Sequence, residues 1–231
     1  QLDKVLTVVE EAFDLSRCRE LTVEAGRPDS VTPDKFKVLK AHNVGRISIN
    51  PQTMNQKTLD LIGRRHSVED IKSVYKTARK IGFKDINMDL ILGLPNETVE
   101  DVENTMRQME ILSPDSMTVH TLAVKRASRL KEQFDSFDLA EAETMEKMIN
   151  ISSECARKMG LSPYYMYRQK NMVGNFENVG YCRKGCEGIY NIEIMEERQT
   201  ILAVGAGSTT KVYNSKKNLL TRAFNVKSVE E

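Results

Sequence analysis

Ile86-Asn87-Met88-Asp89-Leu90-Ile91-Leu92, closed at once by Gly93-Leu94-Pro95, is the stretch on which the fold turns. An apolar run of this length bounded by turn residues reads as a buried strand. Its alternation sets Met88, Leu90 and Leu92 against Asn87, Asp89 and Ile91. Burying a charge such as that of Asp89 costs on the order of several kcal/mol unless something pairs with it. Two earlier strand-like runs repeat the oddity. Glu20–Glu24 (ELTVE) ends in Glu24, and Arg46–Gln52 (RISINPQ) ends in Gln52, with Ile47 and Ile49 facing away from Ser48, Asn50 and Gln52. Three polar positions on successive strand–helix units predict a polar ligand enclosed by the sheet.

The segments between these strands read as helices. Thr32 is placed to cap a helix that opens on Pro33. Ser67 with Asp70 forms a capping box before the helically spaced Ile71, Val74, Ala78 and Ile81, and Gly82 ends that helix. Thr98 caps another helix, carrying Val102, Met106, Met109 and Leu112 and stopped by Pro114; the strand Ser116–Leu122 follows. Alternation of this kind predicts parallel strands joined by right-handed crossovers. Apolar faces would be covered by helices, and the mixed faces would form the inside of an open or incomplete barrel. In such barrels the chemistry sits at the carboxyl ends of the strands.

From about Lys125 the rhythm changes. A long helix over about Leu139–Met159 precedes a tyrosine-rich, polar stretch, Tyr164–Tyr181, then a helix near Ile192–Arg198 and short strands such as Leu219–Phe224. The expected division is residues 1–125 as barrel and 126–231 as an extension. The fold class predicted is α/β: the last four βα units of a partial (β/α)6 TIM-like barrel, with an α+β C-terminal extension.

Composition narrows the function. The chain has 231 residues, 40% hydrophobic and 29% charged, with 34 basic against 33 acidic side chains. A net charge of +1 gives no field suited to nucleic acid. No apolar run reaches the roughly 20 residues of a membrane span, and there is no secretory signal pattern. Four cysteines are too few for a disulfide scaffold. A cytoplasmic location is expected. Residue 1 is Gln, and Leu2, Val5, Leu6, Val9 and Phe13 already trace a helix face. Further sequence is therefore expected upstream.

Each candidate site has a plain alternative. Glu24, Gln52 and Asp89 could accept hydrogen bonds from a ligand's amine and hydroxyl groups. Glu24 or Asp89 could equally pair with Arg27, Arg46 or Arg64. Arg64 could hold a carboxylate, or lie on the surface. Gly205–Lys211 (GAGSTTK) lacks phosphate-loop spacing and reads as a turn. Cys182 and Cys186 resemble half a metal site but lack further close ligands, so they read as free thiols. In the tyrosine-rich stretch Arg168, Gln169 and Asn171 are candidate substrate contacts for a flat, multiply anionic molecule; a tyrosine strand with a solvated loop is the simpler reading. Lys125 or Lys211 could serve as a Schiff-base lysine in a barrel enzyme of another class.

Taken in order, ELTVEAGRPD, RISINPQTMNQKTLDLIGRRHS, INMDLILGLPNET, DSMTVHTLAV, YYMYRQKNMVGNFENVGY and ILAVGAGS resemble the oxygen-independent coproporphyrinogen III oxidases (coproporphyrinogen dehydrogenases), which are radical S-adenosylmethionine (SAM) enzymes. The resemblance runs from Cys18 to about Tyr213. It implies that Glu24, Gln52 and Asp89 contact the polar and ribose groups of SAM. Arg64 would support its methionine end, and the backbone around Ile91 and Ala123 would border the adenine. It further implies a [4Fe-4S] cluster, a porphyrinogen substrate and an electron donor such as flavodoxin or ferredoxin. The activity implied is oxidative decarboxylation of two propionates of coproporphyrinogen III, giving protoporphyrinogen IX in haem biosynthesis. A neighbouring branch of haem chaperones lacks that activity and carries an H-N-x-x-Y-W motif where this chain has RQKNMVGNFENVGY. The family's C-x-x-x-C-x-x-C cluster motif is absent from the sequence, and its place would be upstream of Gln1. Residues 1–231 alone are therefore expected neither to hold the cluster nor to turn over.

Overall fold

The computed structural model describes residues 1–123, 140–168 and 176–228. The chain divides into two units, Gln1–Glu187 and Gly188–Glu231.

In the first unit α1 (Leu2–Ala12) precedes β1 (Thr22–Gly26), α2 (Pro33–Ala41), β2 (Arg46–Gln52), α3 (Gln56–Leu61), α4 (Val68–Ile81), β3 (Asp85–Leu92), α5 (Val99–Leu112) and β4 (Ser116–Thr121). The predicted caps form. Thr32 accepts from the Lys35 amide, and Ser67/Asp70 and Thr98/Asp101 make reciprocal capping boxes that satisfy otherwise orphaned donors at two helix starts. Gly82 ends α4 in the left-handed region.

Strands β1 to β4 are parallel neighbours in sequence order. The rest of the sheet departs from the simple rhythm. After α6 (Ala142–Lys158), β5 (Ser162–Tyr167) and β6 (Asn178–Cys182) form an antiparallel pair, and β6, the later strand, docks against β4. The order is β1-β2-β3-β4-β6-β5. The insertion depends on Gly180, because a Cβ there would stand 1.8 Å from a ring carbon of Tyr165. Only glycine lets the Tyr165 ring lie across β6.

The core lies on the helix side of the sheet. Ile47, Ile49, Ile86, Met88 and Leu90 are fully buried, together with Met109 of α5 and Met145 and Met148 of α6. The methionines fill gaps between helix and sheet, as their helical spacing predicts. Gly93 (φ +74°) turns the chain at the end of β3, close under Met145.

In the second unit, α7 (Ile189–Glu196) starts three residues before the predicted helix. Strands β7 (Thr209–Asn214) and β8 (Leu219–Phe224) form a hairpin. Gly205 and Gly207 both have positive φ and make the predicted turn. The preceding run is not core: Leu202 and Val204 are exposed. Among the described residues no helix is long and apolar enough to cross a membrane.

Candidate functional site

The other face of the sheet is mainly polar. At the amino ends of the strands, Arg46 donates to Asp85 at 2.8 Å, to the Cys186 carbonyl at 2.8 Å and to Ser116 at 2.9 Å. Moving toward the carboxyl ends, Asn87 donates to Ser48 (2.9 Å) and to Asp89 Oδ1 (2.7 Å), and Ser48 donates to Asn50. Thr118 meets the Tyr165 hydroxyl at 3.3 Å. These groups face one another because parallel register brings Ser48, Asn87 and Ser116 side by side, and Asp89 beside Thr118.

At the carboxyl ends this face opens into a cavity of about 270 Å³. It is lined by Gln52, Asp89, Ile91, His120, Thr121, Leu122, Ala123 and Tyr167. Four of the six predicted cofactor residues, Gln52, Asp89, Ile91 and Ala123, are thus brought together. Glu24 joins them electrostatically. Solvent reaches it on the edge strand β1, yet its carboxyl is pushed above the usual range. Crowding by protein atoms is the main cause and the charge of Asp89 the second; hydrogen bonding to Ser48, the positive charge of Arg46 and hydrogen bonding to Asn50 pull the other way. The alternative, a pairing of Glu24 or Asp89 with an arginine, is not seen: among the described residues neither forms an ion pair with lysine or arginine, and the one ring facing Asp89 as a possible cation is His120 at 4.0 Å.

Gln52 has a φ of +72°, uncommon for a residue other than glycine. The β2–β3 register slips between Ile49 and Gln52, and that irregularity turns the side chain. What holds this strained turn is a buried cluster behind it. Glu97 accepts from Thr53 at 2.6 Å and from Asn55 at 3.2 Å, and Asn55 donates to Thr105 and to the Asp101 carbonyl. Burial raises the Glu97 pKa, while hydrogen bonds from Thr53, Asn55 and Thr58 oppose the rise. The loop that carries Gln52 is thereby fastened to the loop that follows β3.

Arg64 lies elsewhere. It follows α3, half-buried beside Arg27 and Asp29, and is not among the residues lining the cavity. Burial, and then the like charge of Arg27, lower its pKa. Arg168 is exposed and paired with Glu177 at 3.1 Å. Gln169, Asn171 and Lys125 lie outside the described residues. Lys211 is paired with Glu197 at 2.9 Å in the second unit. The four cysteines are unbridged, and burial pushes Cys182 up to about 12, which keeps it a thiol at neutral pH.

Sequence reasoning missed His120, Thr121, Leu122 and Tyr167. His120 was legible as a polar residue at the end of a strand. Tyr167 was not, because the antiparallel return that delivers it leaves no periodic signal. Asn178 was missed as well: its side chain accepts from the Thr121 amide at 2.7 Å and ties β6 to the rim of the cavity.

A sheet of parallel strands with a polar cavity at its carboxyl ends agrees with the comparisons. Residues 6–109 match the Radical SAM superfamily, and this part of the chain is a radical SAM domain. Among its relatives, the oxygen-independent coproporphyrinogen-III oxidase-like protein HemZ of Bacillus subtilis is 44% identical over 214 residues, 93% of this chain and 43% of that protein. The heme chaperone HemW of Lactococcus lactis is 28% identical over 216 residues, 90% of this chain and 52% of that protein. The structure of coproporphyrinogen III oxidase (HemN) from Escherichia coli, described as a radical SAM enzyme, superposes with a TM-score of 0.73 at 18% identity, covering 99% of this chain and 51% of that one. That likeness establishes the TIM-like radical SAM fold. The chain spans about half the length of these relatives.

Superfamily membership implies SAM and a [4Fe-4S] cluster. The cavity suits the adenosyl part of SAM chemically, since it offers the Asp89 carboxylate, without an arginine or lysine ion pair among the described residues, and the Gln52 amide beside an apolar wall at Ile91, Leu122 and Ala123. The described residues do not fit a cluster, because no group of three or more His, Cys, Asp or Glu side chains among them could hold a metal.

Proposed function

We propose that this chain supplies the SAM-orienting part of an oxygen-independent coproporphyrinogen III dehydrogenase. The supporting observation is the convergence of Gln52, Asp89, Ile91 and Ala123 on one cavity at the carboxyl ends of the strands, with Glu24 coupled to Asp89. SAM, when bound, supplies the means of abstracting a hydrogen atom from a substrate propionate. The chain's own residues bind and orient it. Asp89 and Glu24 accept from the ribose hydroxyls and the ammonium group, and Gln52 fixes the polar end. Ile91, Leu122 and Ala123 keep water from the adenine side. Arg64, which does not line the cavity, would meet only a part of SAM that reaches beyond it, such as the methionine carboxylate, and Arg168, Gln169 and Asn171 belong to the substrate side. The electron donor is a flavodoxin or ferredoxin, and the setting is cytoplasmic haem biosynthesis.

The test uses the full-length protein, reconstituted anaerobically. Asp89→Asn and Gln52→Ala are expected to weaken SAM binding at least tenfold, and the wild type to release CO2 from coproporphyrinogen III. Haem binding without decarboxylation would favour the second reading, a haem chaperone, which the likeness to the HemW proteins supports. Residues 1–231 alone are expected to bind no stoichiometric [4Fe-4S] cluster, and iron analysis after reconstitution checks this.

A further inference from the structure

His120 stands between Asp89 and a residue of the tyrosine strand. Its Nδ1 lies 3.2 Å from the Tyr167 hydroxyl, the two rings meet edge to face, and its Nε2 lies 4.0 Å from Asp89 Oδ2. At 4.0 Å the Nε2 atom is beyond direct hydrogen-bond reach of Asp89, but the neutral tautomer protonated there aims its N–H at the carboxylate. Nδ1 is then an acceptor, and the Tyr167 phenol donates to it. Asp89 is flanked on both oxygens, with Asn87 donating to Oδ1 at 2.7 Å and His120 facing Oδ2. Tyr167 is itself held in place. Its ring stacks on Tyr165 with centroids 6.2 Å apart and planes 5° from parallel, and Tyr165 lies over Gly180 and meets Thr118. All three members of the chain line the cavity.

We propose that Tyr167 and His120 are positioning residues for Asp89: Tyr167 sets the tautomer of His120, and His120 turns the Asp89 carboxylate toward the ligand. This rests on the reading of the cavity as a SAM site. It makes β5, outside the parallel strands, a determinant of cofactor affinity.

A double-mutant cycle in the full-length, cluster-reconstituted protein tests it, with SAM affinity measured by equilibrium dialysis and thermal stability followed in parallel. Tyr167→Phe keeps the stacked ring and removes only the hydroxyl. It is expected to weaken SAM binding about three- to tenfold with little change in melting temperature. In a His120→Ala background the same substitution is expected to change nothing further. His120→Gln, which can offer an N–H to Asp89, is expected to recover part of the loss. Independent, multiplying losses from Tyr167→Phe and His120→Ala would overturn the relay, as would wild-type SAM affinity in both single variants while Asp89→Asn binds weakly. Unchanged affinity in Asp89→Asn would instead remove the SAM reading beneath it, and the relay with it.

Discussion

One face of one sheet carries two polar regions that behave in opposite ways. At the amino ends of the strands Arg46 is almost sealed from solvent, and its guanidinium is held by Asp85, Ser116 and the Cys186 carbonyl. At the carboxyl ends Glu24 and Asp89 repel each other, Gln52 sits in a strained backbone conformation, and space remains. Both regions bury or crowd charge, which is costly unless compensated. The first is compensated within the fold. The second keeps its acceptors and its strain, as a site shaped for an outside partner does.

The largest effect that would sharpen this contrast comes from the closed end. Arg46→Met leaves the Asp85 carboxylate, which burial already pushes upward, without its guanidinium. Removing one member of such a pair costs about 3 kcal/mol or more. Urea denaturation should show the loss as a lower midpoint with little change in slope; a loss below about 1 kcal/mol would mean that the two ends do not differ in kind. Next comes the support behind Gln52. Glu97→Ala removes the acceptor that Thr53 and Asn55 share, while Thr105 and the Asp101 carbonyl remain as their partners, at about 1 kcal/mol. Because Thr53 directly follows Gln52, SAM affinity should fall with stability. Glu97→Gln, which keeps one acceptor oxygen, should lose less of both.

The open end was more legible in the sequence than the closed one. Glu24, Gln52 and Asp89 betrayed themselves as polar residues where strand periodicity wanted apolar ones, and the capping residues at Thr32, Ser67 and Thr98 set the helix starts. Arg46 reads in the sequence only as a possible partner of Glu24 or Asp89, because its observed partners lie 39, 70 and 140 residues away and only the register unites them. The order of β5 and β6 was hidden for a similar reason. Two short strands joined by a polar segment predict a hairpin, but which of them meets β4 depends on Gly180 accommodating a particular ring. Arg64, picked out by resemblance, stands with Arg27 and Asp29, and nothing local in its sequence tells a surface guanidinium from a ligand clamp.

Strain offers a smaller and more pointed test. Gln52→Gly relieves a left-handed conformation worth about 1 kcal/mol and also removes a buried amide. The two roughly cancel, so stability should move by less than about 1 kcal/mol while SAM affinity falls about tenfold. A large loss of stability would show Gln52 to be part of the packed structure, and the contrast between the two ends would weaken.

The last effect is the smallest in energy and the most specific in sign. The Glu24 carboxyl is raised above its ordinary value by crowding and by Asp89. A carboxyl whose folded pKa exceeds its unfolded one favours the fold while protonated, fully so below the unfolded value, and that advantage is lost as pH rises through the folded value. At about pH 7 the unliganded protein therefore carries a destabilising charge at Glu24. Glu24→Gln removes that charge while keeping the shape. Its melting temperature should exceed that of the wild type near pH 7, and the gap should close toward about pH 4, where both side chains are neutral. SAM affinity should move the other way and fall, because the negative charge and one of the two acceptor oxygens are gone. A melting-temperature gap of the same size at both pH values would mean that Glu24 acts through packing rather than charge, and the open end would lose the electrostatic tension that separates it from Arg46 and Asp85.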